Sequence, residues 1–415
     1  MKTQNAWSWI PSLYFAEGFP YVIVMTLSVI MYKRLDISNA EIALYTSWLY
    51  FPWVIKPLWS PFVDIVRTKR WWIVFMQLLI GGGMAGIAFM IPTDFFFQAT
   101  LAFFWLMAFS SATHDIAADG FYMLGLNEEK QAFFIGIRSI FYRIAMLTGQ
   151  GLLVMLAGFW EQRTGNIPQA WIVVFGVVAV SFVCLSLWHQ FMLPKPAEDV
   201  QRLDSSVSVI VREFGNTFST FFSKKGIVPA ILFMLTYRLG ESQLVKLSSP
   251  FLLDAREVGG LGLTTAQVGF TYGTVGVLCL LLGGILGGIA LAKGGGLKRW
   301  MFPMALAISL PNLVYLFMAY ALPESLFVVN VCVGIEQFGY GFGFTAYTMY
   351  LLQFSEGNFK TSHYALCTGF MALGMMIPGM VSGAIQEWIG YDLFFIWVMV
   401  CCIPAFVILP FLRYR

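Results

Sequence analysis

Nine ionisable side chains stand inside hydrophobic stretches of this 415-residue chain: Glu17, Asp115, Asp119, Arg138, Arg143, Arg238, Glu241, Lys246 and Glu336. At bilayer depth each costs on the order of 3 kcal/mol or more unless it faces a wet cavity or a partner. Acids of this kind exchange protons and accept hydrogen bonds from sugar hydroxyls, while guanidinium and ammonium groups hold carboxylates. Tyr14 and Tyr21 lie at helical offsets from Glu17, and Tyr340 lies one turn from Glu336. Aromatic rings beside charged groups suit a glycan, with Arg138, Arg143, Arg238 and Lys246 available to an anionic substituent.

The elements that position these groups are read from composition. The chain is 59% hydrophobic and 11% charged, with a mean hydropathy of +0.75, which excludes a soluble globular domain and a disordered chain. Runs of about 20 apolar residues are long enough to span a bilayer. They fall at 9–32, 41–63, 71–91, 97–125, 132–158, 169–192, 227–254, 265–290, 300–321, 325–354, 362–386 and 392–412. The expectation is an all-α membrane protein of twelve transmembrane helices, its intramembrane charges concentrated on the first, fourth, fifth, seventh and tenth. The first run keeps Glu17 and has no small-residue cleavage site, so it reads as a retained helix. All six cysteines lie in apolar runs and read as core residues, so no disulfide, metal or cofactor is expected.

Of the 25 Lys and Arg, sixteen fall in loops on one side and four on the other, which places both termini in the cytoplasm. A net charge of +3 gives no reason to expect nucleic acid as a partner. The expected partners are the lipid bilayer, a small-molecule substrate and protons, with the chain working as a monomer.

The longest loop divides the chain into a six-helix bundle at 1–192, a cytoplasmic linker at 193–226 and a second bundle at 227–415. In the linker, Val207, Ile210, Val211, Phe214, Phe218, Phe221 and Phe222 recur at helical spacing, predicting an amphipathic helix on the membrane surface. The bundles read as distant duplicates. Leu35-Asp36-Ile37-Ser38-Asn39-Ala40-Glu41-Ile42 parallels Leu261-Gly262-Leu263-Thr264-Thr265-Ala266-Gln267-Val268, with Ser38 and Thr264 as expected N-caps. Thr68-Lys69-Arg70-Trp71 parallels Leu297-Lys298-Arg299-Trp300, and Lys130-Gln131 parallels Lys360-Thr361. The offset stays between 226 and 230 residues.

The fourth and fifth helices are joined by a short turn near Asn127–Gln131, so residues at equal depth have numbers with a constant sum. That predicts Asp119 beside Arg138 and Asp115 beside Arg143, with Asp115 and Asp119 on one helix face. The arrangement serves either a structural ion-pair lock or direct proton and substrate handling. His114, about 100° round the helix from Asp115, is either packed or pore-facing. His114 and Asp119 also have the spacing of a glycerolipid acyltransferase motif. That motif belongs to a membrane-surface active site, and an apolar span is the wrong place for it, so no enzyme is expected.

Two six-helix repeats describe the major facilitator fold. Ser60-Pro61-Phe62-Val63-Asp64-Ile65-Val66-Arg67-Thr68-Lys69-Arg70 resembles the cytoplasmic acidic and basic loop of that superfamily, implying gating by Asp64, Arg67, Lys69 and Arg70. More narrowly, the chain resembles the AmpG-type muropeptide permeases, which form one family with acetyl-CoA transporters. The resemblance rests on Phe15-Ala16-Glu17-Gly18-Phe19-Pro20, Lys56-Pro57-Leu58-Trp59-Ser60-Pro61-Phe62-Val63-Asp64, Ser110-Ser111-Ala112-Thr113-His114-Asp115-Ile116-Ala117-Ala118-Asp119-Gly120, Tyr142-Arg143, and Tyr237-Arg238-Leu239-Gly240-Glu241. It implies a secondary active transporter in a bacterial inner membrane, importing peptidoglycan-derived muropeptide or anhydro-muramyl sugars by proton symport. The alternatives are a proton-coupled symporter of another saccharide or anionic metabolite, as in the acetyl-CoA branch, and a non-transporting sensor of cell-wall fragments. In a major facilitator, Glu17, Tyr14, Arg238, Glu241, Glu336 and Tyr340 are expected to border one central cleft.

Overall fold

The computed structural model describes residues 5–197, 199, 207–293, 295–357 and 359–414, and among these the chain is helical throughout with no strand. The uninterrupted spans include the first (Ala6–Arg34), third (Lys69–Met90), fourth (Phe96–Gly125), sixth (Ile167–Met192), eighth (Thr265–Lys293), ninth (Leu297–Ala321) and tenth (Leu326–Ser355). The fifth runs from Glu128–Met146 through Leu147–Leu153 to Val154–Thr164. The others are broken.

The second span consists of Asn39–Trp48 and Phe51–Val66, interrupted just before Pro52. The seventh consists of Ile227–Thr236 and Leu239–Leu253. Lys360–Phe411 holds two spans, separated at Gly390, whose φ of 80° and ψ of 170° suit glycine alone. Counted this way, the rods among the described residues number twelve. Helices are the only open-ended structures that satisfy every backbone group inside lipid.

Several helix starts follow from single polar residues. Ser38 Oγ accepts from Glu41 N, Thr68 Oγ1 from Trp71 N and Asn127 Oδ1 from Lys130 N. Thr264 forms a reciprocal capping box with Gln267. The caps expected at Ser38 and Thr264 are therefore present.

The rods group into two compact units. One contains the residues up to Met31 together with Ile55–Ile210, and the other contains Tyr32–Val54 together with Val211–Arg415. In the first unit, the first span packs against both the fourth and the fifth. Its core includes Trp9, Leu13, Tyr14, Ala117, Phe121 and Tyr122. Gly18 is required there, because a Cβ would sit 2.9 Å from the Tyr142 ring.

In the second unit, the N-terminal half of the second span, Asn39–Trp48, lies tightly on the eleventh. A Cβ at Gly383 would meet Asn39 O at 2.0 Å, and one at Gly379 would meet Ser47 Oγ at 2.6 Å. The linker helix is Val207–Phe222. Its Phe221 is fully buried, stacked on Phe370 and edge-on to Phe354, so part of the aromatic face docks on the bundle, while Phe222 is exposed. The expected surface helix is therefore also a docked one. The side chains of Val207, Ile210, Val211 and Phe214 lie outside the described residues.

Candidate functional site: two charged clusters

In the first unit Arg138 is the hub. Its Nη2 donates to Asp119 Oδ1 at 2.7 Å, and its Cζ lies 4.4 Å from the centre of the Tyr14 ring and 5.2 Å from that of Tyr122. The two tyrosine rings meet edge to face at 5.8 Å. A guanidinium so placed has a carboxylate at one edge and π-faces beneath it, each ring worth about 0.5–2 kcal/mol. The pair is not enclosed by protein: Asp119 is 45% exposed and Arg138 28%. Glu17 lies within electrostatic reach of Asp119, Asp115, Arg138 and Lys56, is only 7% exposed, and leaves Oε2 without a hydrogen-bond partner. The buried Tyr14 hydroxyl is likewise unpartnered.

The depth rule thus places Asp119 with Arg138 and misplaces Asp115. The Asp115 carboxylate pairs with Lys56 Nζ at 3.1 Å, and Arg143 is exposed and makes no ion pair with it. Equal depth does not fix azimuth. Arg138 and Arg143 are five residues apart, about 140° round the helix, so one can face the fourth span while the other turns away. Lys56 adds a charge on the second span to the five helices on which the intramembrane charges are expected to concentrate. Its position inside an apolar run was the signal, and the test that flagged the other nine residues flags it too.

Tyr21 is half-buried and lies near Tyr142. His114 is packed rather than pore-facing. It is buried in a chain of contacts that joins four spans, with Ser12 Oγ to His189 Nε2 at 2.9 Å, His189 Nδ1 to Gln77 Oε1 at 2.8 Å, and Gln77 Nε2 to His114 Nε2 at 2.9 Å.

At the start of the third span, the backbone N–H groups of Lys69 and Arg70 donate to the two carboxylate oxygens of Asp199, at 2.8 and 3.0 Å. This carboxylate complements the helix dipole. The Arg70 side chain donates to the Gln190 and Leu193 carbonyls at the end of the sixth span. Arg67 lies over Trp71, and the side chain of Asp64 is outside the described residues.

The second unit builds a different cluster. Arg238 stands at the break of the seventh span and chelates Glu241 through Nε (2.6 Å) and Nη2 (3.1 Å). Nη2 also donates to Tyr340 Oη at 2.8 Å, with the Tyr340 and Phe344 rings about its Cζ at 5.1 and 5.0 Å. Here Arg238 is 10% exposed and Glu241 3%. The twelfth span closes on this break at Gly240, where a Cβ would lie 2.5 Å from Cys402 Sγ. Tyr340 therefore serves Arg238, while Glu336 is buried and accepts from its neighbour Gln337 at 2.9 Å.

Lys246 is buried with its Nζ 3.0 Å from Thr46 Oγ1. Further along, Lys33 pairs with Asp254 at 2.6 Å. Tyr391 Oη donates to the same carboxylate at 2.6 Å and Asn39 Nδ2 at 3.3 Å, and Gln386 Oε1 accepts from that Asn39 amide. Sequence reading missed this knot, because each of its members looks like an ordinary loop-end residue.

Comparison with known proteins decides the family. The profile of the Major Facilitator Superfamily matches residues 12–356. The chain belongs to the Major Facilitator Superfamily. It is a multi-pass membrane transporter and not an enzyme. Along nearly its whole length this superfamily member is similar to AmpG proteins, in keeping with the motifs around Glu17, Asp115 and Arg238. It is 25% identical over 416 residues to a putative transporter AmpG 4 of Rickettsia conorii, covering 96% of this chain and 94% of that one. It is 24% identical over 412 residues to the anhydromuropeptide permease of Escherichia coli K12, covering 95% and 77%. Among solved structures, the nucleoside transporter NupG overlays with a TM-score of 0.70 at 14% identity, covering 98% of both chains. A D-xylose–proton symporter overlays at 0.74 and 11%, covering 98% and 96%. These last two establish the fold.

Proposed function

We propose that this transporter imports an anionic saccharide released from peptidoglycan, a muropeptide or anhydro-muramyl sugar, by proton symport across a bacterial inner membrane. Both termini then lie in the cytoplasm, as the loop charges favour. The substrate class is supported by the similarity to an anhydromuropeptide permease and by tyrosine rings set beside guanidinium groups. The observation that carries the coupling is the first cluster. A carboxyl group with one oxygen free of hydrogen bonds, Glu17, lies close to a guanidinium already held by Asp119.

An anionic substrate that draws Arg138 away from Asp119 leaves two acids close together and a proton favoured on one of them. Glu17 is the carrier, Arg138 the group exchanged, and Asp119 its partner when no substrate is present. Arg67, Lys69 and Arg70, with Asp64, serve the cytoplasmic gate. Arg70 would act by holding the third span to the sixth.

The test is uptake of labelled GlcNAc–anhydro-MurNAc into vesicles with an imposed pH gradient. Wild-type accumulation should collapse with a protonophore. Glu17→Gln should abolish accumulation and spare counterflow exchange. Accumulation indifferent to the gradient removes the symport reading.

A further inference from the structure

We infer that Lys246 is the anchor for a carboxylate of the transported solute, held in this structure under a cover formed by the second span. The inference rests on the reading of an anionic saccharide given above, and it names the group that takes the anion.

Four other cations in this protein each have a carboxylate: Lys56 has Asp115, Arg138 has Asp119, Arg238 has Glu241, and Lys33 has Asp254. Lys246 is more deeply buried than any of them, at 1% exposure, and among the described residues no acid lies within ion-pairing distance of it. Its three N–H donors are served by one hydroxyl, Thr46 Oγ1, and by the Tyr50 ring 5.2 Å away. Thr46 in turn donates to Ile42 O at 2.6 Å, so its oxygen is an acceptor for the ammonium and nothing more.

Beside the Lys246 side chain is an unsatisfied donor. Ser47 is fully buried and its Oγ has no hydrogen-bond partner. Ser47 Oγ and Lys246 Cγ both flank the point where a side chain at Gly379 would begin, 2.6 and 3.4 Å from it, so a glycine faces the two of them. Burying an uncompensated charge costs several kcal/mol, and removing it in favour of an apolar chain of similar size is commonly neutral or stabilising. Packing alone would therefore be served better by methionine. A lysine at this depth is offset by an anion that arrives, with the ammonium on one carboxylate oxygen and a freed hydroxyl on the other.

Thr46, Ser47 and Tyr50 belong to the N-terminal part of the second span, which is interrupted at Leu49–Tyr50. Solute sites in secondary transporters gather at such interruptions because the ends of the half-helices leave backbone groups free to face the solute. Displacement of this half-helix would present Nζ.

The experiment uses the full chain in lipid nanodiscs and two probes, GlcNAc–anhydro-MurNAc and the same compound with its carboxylate converted to a carboxamide. Wild type should bind the acid at least tenfold more tightly than the amide. Lys246→Met should bind both alike, the acid having lost its advantage over the amide, with an unliganded Tm equal to or above that of wild type. Lys246→Arg should keep a preference for the acid. If wild type shows no preference, if the preference survives in Lys246→Met, or if Lys246→Met loses both ligands together with its Tm, the anchor is overturned while the muropeptide reading stands. Binding of neither probe by wild type removes the muropeptide reading. The anchor is then decided by glucuronic acid against glucuronamide, where the absence of a preference, or one that survives in Lys246→Met, overturns it.

Discussion

Arg138–Asp119 and Arg238–Glu241 have the same ingredients and opposite physics. Each joins a guanidinium to a carboxylate and sets tyrosine beside it. Arg238–Glu241 is a two-bond chelate in a nearly dry site, three residues apart at a helix break. Arg138–Asp119 is a single hydrogen bond between different spans, with more than a quarter of each side chain in the open. In low dielectric a chelated pair resists separation, and removing one partner strands the other charge. In a wetter place the pair contributes little to stability and can exchange partners. The dry pair therefore reads as the device that holds the broken seventh span together, and the wet pair as the working one.

The comparison breaks most visibly in stability. Arg238→Ala should lower unfolding stability by about 3–5 kcal/mol, because Glu241 is left buried and unpaired. A thermal melt of the purified protein would show it as a loss of Tm. The double variant Arg238→Met with Glu241→Leu should recover most of that loss, since the uncompensated charge is gone. A Tm for Arg238→Ala equal to wild type would mean that the seventh span does not depend on the chelate.

The wet pair should give the reverse pattern. Asp119→Asn should change stability by about 1 kcal/mol or less, as exposed pairs do. Uptake, by contrast, should fall at least tenfold in the vesicle assay, because the carboxylate that Arg138 returns to has lost its charge. Equal losses of stability and uptake in both clusters would erase the distinction drawn between them.

The sequence made the architecture readable and the azimuths unreadable. Twelve spans follow from apolar run length, and the Ser38 and Thr264 caps follow from local backbone chemistry that one residue supplies. The Asp119–Arg138 pair follows from depth, which chain connectivity sets. What stayed hidden depends on which face of a helix meets which neighbour. Lys56 reaches Asp115 from a span remote in sequence, and His114 joins Gln77 and His189 across three helices. Nor does any local pattern announce that Tyr32–Val54 belongs with Val211–Arg415, because small residues on the eleventh span, Gly379 and Gly383, make that contact possible from more than 300 residues away.

The smallest expected effect sharpens the comparison within the first unit. Lys56–Asp115 is partly exposed like Arg138–Asp119, at 28% and 21%, but its ammonium is a point charge with no ring beneath it among the described residues. A double-mutant cycle with Lys56→Met and Asp115→Asn isolates the pair from the other interactions of each residue. The coupling energy in unfolding should be about 1 kcal/mol or less and should shrink further in high salt, as expected of a partly hydrated pair. The transport cycle gives the more telling result. If Lys56 only neutralises Asp115 so that Glu17 and Asp119 can share Arg138, the double variant should retain more uptake than Lys56→Met alone, where Asp115 is left as an extra unpaired acid near Glu17. Should the double variant be no better than the single, Asp115 itself takes part in the cycle, and the working part of the first cluster is larger than Arg138, Asp119 and Glu17.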